Sequence, residues 1–316
     1  PGTSVSWFMI GTIVFLMLLI YLTHWPQGEI RRMTWKLTSS TTSIFVSVMI
    51  NTVLLHMVHH DIAPLVPAPL FPLITGLSLA VLWLLVQAFI FLTRKSRSAS
   101  TAYATIGGHL LGFTCIHAFG KLQESHLYRE QWRPLLVLPL FLLVWAVLAW
   151  IAGRLRSKVE ERALQAHARI HHSTRARAGE REVEESFEDT CTDCENDIVC
   201  NVLGFLLTQV VGGVIIGELP PMDDEPVTTH SQNAKLFTAA VVFLVIVFAG
   251  EAFHSEEHSE LAQRAFAILR GISAMSMSWC WLFWGRWHLW RTIAMEELLA
   301  KVVLAVTTSV SCMLMV

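Results

Sequence analysis

Long apolar runs, each close to the length of a membrane span, alternate with short polar turns along most of the chain. A helix rising about 1.5 Å per residue needs roughly 20 mostly apolar residues to cross about 30 Å of hydrocarbon. On that measure spans are predicted near 4–24, 41–60, 70–92, 101–120, 133–153, 198–217, 236–255, 261–285 and 297–316. Runs of this length leave no period-2 alternation, so helices and not barrel strands are the expected spanning element. The pattern predicts an all-α, polytopic membrane protein with about nine transmembrane helices. The first run is too long and too weakly basic at its front for a cleaved signal peptide, and suits a first span. The chain opens on Pro1 and not methionine, so residues upstream of it are expected.

Two stretches of the pattern resemble each other. Leu73 to Lys121 is an apolar span through Gln87-Ala88-Phe89, a polar turn and a second span. Phe237 to Trp287 runs the same way through Glu251-Ala252-Phe253. Aligning Gln87 with Glu251 carries Gly107 onto Gly271 without a gap, and a one-residue shift brings Cys115 onto Cys280 and Gly120 onto Gly285. These matches predict a duplicated four-span unit with both copies pointing the same way, a parallel repeat about the membrane normal. The expected organisation is therefore a first helix and turn at 1–36, repeat one at 37–153, a charged and partly helical linker at 154–197, and repeat two at 198–316.

Charge fixes an expected orientation. Arg31, Arg32 and Lys36 follow span one; Arg94, Lys95 and Arg97 follow span three; Arg154, Arg156, Lys158 and Arg162 follow span five. Basic connections stay in the cytoplasm, which places the N-terminus outside and the 154–197 linker inside. The acidic half of that linker is expected to be loose and solvated. Trp279, Trp281, Trp284, Trp287 and Trp290 read as an interfacial belt of indole rings. Gly108 with Gly112, Gly213 with Gly217, and Gly271 with Ser273, Ala274 and Ser276 read as close helix contacts.

Composition sharpens this without changing it. Of 316 residues, 53% are hydrophobic and 15% charged, against about 25% charged in ordinary soluble domains. The net charge of −2 gives no footprint for nucleic acid. Six scattered cysteines do not make a secreted disulfide scaffold. Cys191-x-x-Cys194 with Cys200 is half of a zinc site, and its second half is not visible.

Candidate chemistry is confined to polar residues within spans, where each charge needs a partner or a wet cavity. Glu251 and Arg270 lie on adjacent antiparallel spans and are expected to meet. Gln87, Asn51, His109 and His117 are the other candidates, as an ion or proton path or as a structural polar network. Histidine suits such a path because it titrates near neutral pH. Lys301, near the end of the last span, is expected to snorkel and not to carry a retinal Schiff base. His56-x-x-His59-His60, His167-x-x-x-His171-His172 and His254-x-x-x-His258 have a spacing that resembles the histidine boxes of membrane di-iron desaturases and hydroxylases. The expected topology puts the first cluster on one side of the bilayer and His167, His171, His172, His254 and His258 on the other. Ligands meet within about 2 Å of a metal, so no metal and no other cofactor is expected.

The leading expectation is a channel or transporter-like protein moving protons or small ions, a non-enzyme in contact with lipid and with no nucleic acid. The alternatives are a non-catalytic subunit, in a larger complex or a homo-oligomer, and a histidine-cluster metalloenzyme.

Overall fold

The computed structural model describes residues 17–58, 60, 71–125, 128, 132–168, 174–221, 228–252 and 260–292. Every regular element among them is helical. We number them α1 (Gly28–Met57), α2 (Phe71–Thr93), α3 (Arg97–Glu124), α4 (Val137–Ala168, entered through a 3-10 turn at Arg133–Leu136), α5 (Thr174–Ile216), α6 (His230–Ala252) and α7 (Glu260–Thr292). Five stretches are long and apolar enough to cross a membrane: Gly28–Met57, Arg133–Val159, Phe187–Ile216, His230–Ala252 and Ala265–His288. Ser78–Thr93 is a shorter apolar helix. The expected span at 297–316 and most of that at 4–24 lie outside the described residues. The chain is thus an all-helical protein built for a membrane, with five candidate spans among the described residues where the sequence suggests nine in the whole chain. α3 falls short by composition: its serines, threonines, glycines and histidines lower its hydropathy while they hold its neighbours.

The hydroxyl-rich helices stay dry because their hydroxyls are satisfied within the turn above. Thr34 donates to the Ile30 carbonyl at 2.8 Å, Thr105 to Thr101 at 2.8 Å and Thr208 to Gly204 at 2.8 Å. In hydrocarbon no water would take their place. α1 starts well before the expected residue 41, directly after Pro26 and Gln27, so Arg31, Arg32 and Lys36 sit in its opening turns and not in a loop.

The expected linker is mostly helix. α4 runs on to Ala168, and α5 takes in the whole acidic half before entering its apolar part. At 43 residues α5 is about 65 Å long, roughly twice the hydrocarbon thickness. It is also the centre of the molecule. In its most apolar window 67% of residues are buried, against 17–22% for the other candidate spans.

α3 and α7 flank α5 on different sides and run in its direction. Along α3, the Cys194 thiol reaches the Ala104 carbonyl at 3.3 Å, Gly112 meets Asn201, and the Gln123 amide donates to the Leu206 carbonyl at 3.4 Å. Along α7, Cys200 reaches the Ile268 carbonyl at 3.6 Å, Ser276 donates to the Gly204 carbonyl at 3.3 Å, and Gly212 approaches Trp287. α1 lies on α3, α2 on α3, and α6 on α7, with α4 packed against α5. The main core fills the space between α2, α3, α4 and α5, with Trp83, Ile90, Leu111, Phe141, Ile198 and Leu206 fully buried. Leu143 and Trp150 on α4 and Val245 and Phe248 on α6 are each at least 60% exposed, an apolar perimeter of the kind lipid covers.

Glycine makes the close approaches possible. A Cβ on Gly204 would stand 2.5 Å from Met275 Cβ and 3.0 Å from the Ser276 nitrogen, so α5 and α7 touch backbone to backbone. Gly112 and Gly271 serve the same end against Asn201 and Cys200. Gly213 and Gly217 do something else. Gly217 adopts φ +96°, and its amide donates to the Gly213 carbonyl at 2.8 Å, so this pair ends α5 and turns the chain. The tryptophans are likewise not a simple belt. Trp279 and Trp287 face Phe205 and Phe283 between α5 and α7, while Trp281 and Trp284 pack on Phe237 of α6.

The two stretches aligned in the sequence are the α2–α3 and α6–α7 hairpins. Of the aligned positions, Cys115 and Cys280 are both fully buried. Gly107 faces Val86 of its own hairpin, whereas Gly271 faces Cys200 of α5.

Candidate functional site: polar side chains buried along the central helix

The apolar part of α5 is interrupted by four buried polar side chains: Glu195, Asn201, Thr208 and Gln209. They share one helix because α5 carries an apolar stripe at helical spacing, Phe187, Cys191, Cys194, Ile198, Val202 and Phe205, that holds it in the core whatever lies between. Each polar group therefore has to find its partner inside the bundle.

Glu195 accepts from the Arg156 guanidinium of α4 at 2.6 Å, and the same nitrogen donates to Gln87 Oε1 of α2 at 3.2 Å. Both charged side chains are nearly buried, at 14% and 10% exposure. A carboxylate and a guanidinium so placed keep their charges only by neutralising each other, since either alone costs several kcal/mol to desolvate. Gln87 Nε2 has no partner among the described residues.

Deeper along α5, Thr208 donates to the Gly204 carbonyl and lies 3.3 Å from the Ser276 carbonyl, with the Cys280 thiol at 3.8 Å from its oxygen. Asn201 packs against Gly112, where a Cβ would stand only 2.7 Å from its amide nitrogen. Gln209 is buried and its Oε1 has no partner among the described residues.

The predicted candidates fall in three separate places. Gln87 belongs to the Arg156–Glu195 cluster. His109 and Asn51 lie between α1 and α3. His109 Nδ1 is 2.8 Å from the Thr105 carbonyl and 3.0 Å from Ser43 Oγ. A carbonyl only accepts, so the proton sits on Nδ1 in the neutral ring and Nε2 is left as the exchangeable site. Asn51 Oδ1 accepts from Thr114 at 2.9 Å, and Ser47 donates to the Ile106 carbonyl at 2.9 Å. His117 is half-buried, two turns beyond His109 on α3. The third place is the α6–α7 hairpin, where Arg270 donates to Glu251 as expected from their antiparallel spans. That pair is at the perimeter, with the Glu251 side chain 65% and Arg270 40% exposed.

Arg156 and Glu195 were missed because both fall inside the charged 154–197 segment and read as solvated linker. The stripe from Phe187 to Phe205 was the available signal, since it passes straight through the acidic block.

Of the histidine clusters, His56 and His60 stack at 5.4 Å between ring centroids. His59, His171, His172, His254 and His258 lie outside the described residues, as does the side chain of His167 on α4. Lys301 lies outside them as well. Among the described residues no group of three or more His, Cys, Asp or Glu side chains is placed to hold a metal. Cys191, Cys194 and Cys200 are buried and form no disulfide among the described residues, and Cys194 and Cys200 engage backbone carbonyls of α3 and α7.

Comparison of the chain with protein-family models, with curated proteins and with solved structures gives no match.

Proposed function

We propose that the chain is a transporter- or channel-like membrane bundle that moves protons or small ions along the polar side chains of α5. The observation that carries this reading is the run of buried polar groups from Glu195 to Gln209. Their separation of fourteen residues is about 21 Å along the helix axis, most of the roughly 30 Å hydrocarbon thickness. Polar and ionisable groups are expensive at that depth, and a central helix carrying four of them spends stability on something other than packing. The Arg156–Glu195–Gln87 cluster stands at the end of the run nearest the basic segments after α2 and within α4, the end expected in the cytoplasm. Its carboxylate is the charged group of the run.

Flux through proteoliposomes tests the reading. Glu195→Gln and Thr208→Val are expected to lower proton flux at least about tenfold, while Glu251→Gln at the perimeter leaves it unchanged. Unaltered flux in both α5 variants removes α5 from the path.

A second reading, a non-catalytic subunit of a larger membrane assembly or homo-oligomer, is favoured by the α1–α3 and α6–α7 contacts, where His109, Asn51, Glu251 and Arg270 all bind neighbouring helices. It predicts no flux in the unaltered protein and loss of stability, not of activity, in every variant.

A further inference from the structure

At the Gln209 end of that polar run, side chains of α3, α5 and α7 and the prolines after α5 line a partly open cavity of about 290 Å³. Four of its lining residues are aromatic: Phe205 meets Trp279 edge-on at 5.0 Å, Phe283 lies 6.1 Å from Phe205, and Phe283 stacks on Trp287 at 6.2 Å. Two polar side chains join these rings in the lining. Gln209 is 3% exposed, and its Oε1 is a buried acceptor with no partner among the described residues. Arg286, half-buried, is the charged side chain of the lining.

We propose that this cavity binds a small aromatic acid carrying a hydrogen-bond donor at the end opposite its carboxylate. Each part of that ligand answers one feature of the site. The volume is roughly ten times that of a water molecule in the liquid, room for about ten non-hydrogen atoms. Four rings in offset and edge-on contact offer flat faces and edges to another ring. Gln209 Oε1 takes a hydroxyl or N–H proton, which relieves an acceptor otherwise buried without a partner. A guanidinium has five N–H donors in a planar fork, enough to serve a protein group and a carboxylate together. A lipid acyl chain fits less well, because its methyl end donates nothing to Gln209. The site shares Gln209 with the proposed path, but its occupancy is measured without flux, so failure of the one reading is told apart from failure of the other.

Calorimetric titration of the full chain in detergent micelles tests the proposal. The probes are 4-hydroxyphenylacetate, phenylacetate without the donor, 4-hydroxyphenylethanol without the anion, and octanoate without the ring. Saturable binding of 4-hydroxyphenylacetate below about 1 mM is expected. The other three should bind at least about tenfold more weakly, since phenylacetate and 4-hydroxyphenylethanol each lose one polar contact and octanoate loses both the ring and the donor. Gln209→Leu should bring 4-hydroxyphenylacetate and phenylacetate to equal affinity, and retained phenylacetate binding shows that the cavity is intact. No saturable binding of 4-hydroxyphenylacetate, equal affinity for phenylacetate in the unaltered protein, or a preference for octanoate overturns the assignment. Should Gln209→Leu fail to fold, the probe series on the unaltered protein decides alone.

Discussion

Replacing Gly204 by alanine is the sharpest perturbation of the α5–α7 contact. The added methyl would stand 2.5 Å from Met275 Cβ, 3.0 Å from the Ser276 nitrogen and 3.1 Å from the Met275 carbonyl carbon. Two of those neighbours are backbone, and ordinary carbon contacts lie at about 3.5–4.0 Å, so the helices must separate by about 1 Å. The bonds of Ser276 to the Gly204 carbonyl and of Thr208 to the Ser276 carbonyl, both 3.3 Å, then pass beyond hydrogen-bond range. Interhelical bonds in membranes average about 0.6 kcal/mol each, and overpacking adds about 1–3 kcal/mol. Gly204→Ala should therefore cost about 2–4 kcal/mol.

Three other glycines calibrate that figure. Gly271→Ala meets the Cys200 Sγ at 2.5 Å, a side-chain atom able to rotate away, and should cost less. Gly108→Ala reaches its nearest atom at 3.4 Å and should cost little. Gly250→Ala meets nothing within 4 Å and should be neutral or slightly stabilising, by up to about 1 kcal/mol of helix propensity. The assay is reversible unfolding in mixed micelles, followed by far-UV circular dichroism. Equal stabilities for Gly204→Ala and Gly250→Ala would refute the backbone contact between α5 and α7.

Three further outcomes follow from the same contacts. Arg156→Leu alone should destabilise the fold by about 3–5 kcal/mol by stranding Glu195, and the double change with Glu195→Leu should recover most of it in a mutant cycle. Glu251→Gln should change stability by less than about 1 kcal/mol, because the pair with Arg270 is exposed; a larger loss in the same unfolding assay would mean the pair is buried in use. Gly217→Ala should cost about 1–2 kcal/mol, since φ +96° suits glycine alone, and Gly213→Ala, 3.5 Å from its nearest neighbour, should cost less.

Hydrophobic run length made the helical class and the lipid setting legible, because a span has a minimum length whatever it packs against. Glu251 and Arg270 could be paired from the sequence since one hairpin holds both. The importance of α5 was hidden. Its N-terminal half is acidic, and a window that scores charge sees a linker where periodicity at Cys191, Cys194 and Ile198 sees a core helix. Gly213 and Gly217 have the spacing of a packing motif, and only the backbone dihedral of Gly217 reveals a turn. The tryptophans of α7 divide between α5 and α6 according to helical phase, which residue counts alone do not resolve. His109 could be nominated, whereas its Ser43 partner required knowing that α1 lies on α3.

The unbroken course of α5 has a mechanical consequence. A single hydrogen-bonded rod begins at Thr174, outside the apolar stretch, and continues to the middle of the packed bundle with no hinge between. A tilt of its first turns is passed along one helix to Glu195 and Gly204, where α3, α5 and α7 meet.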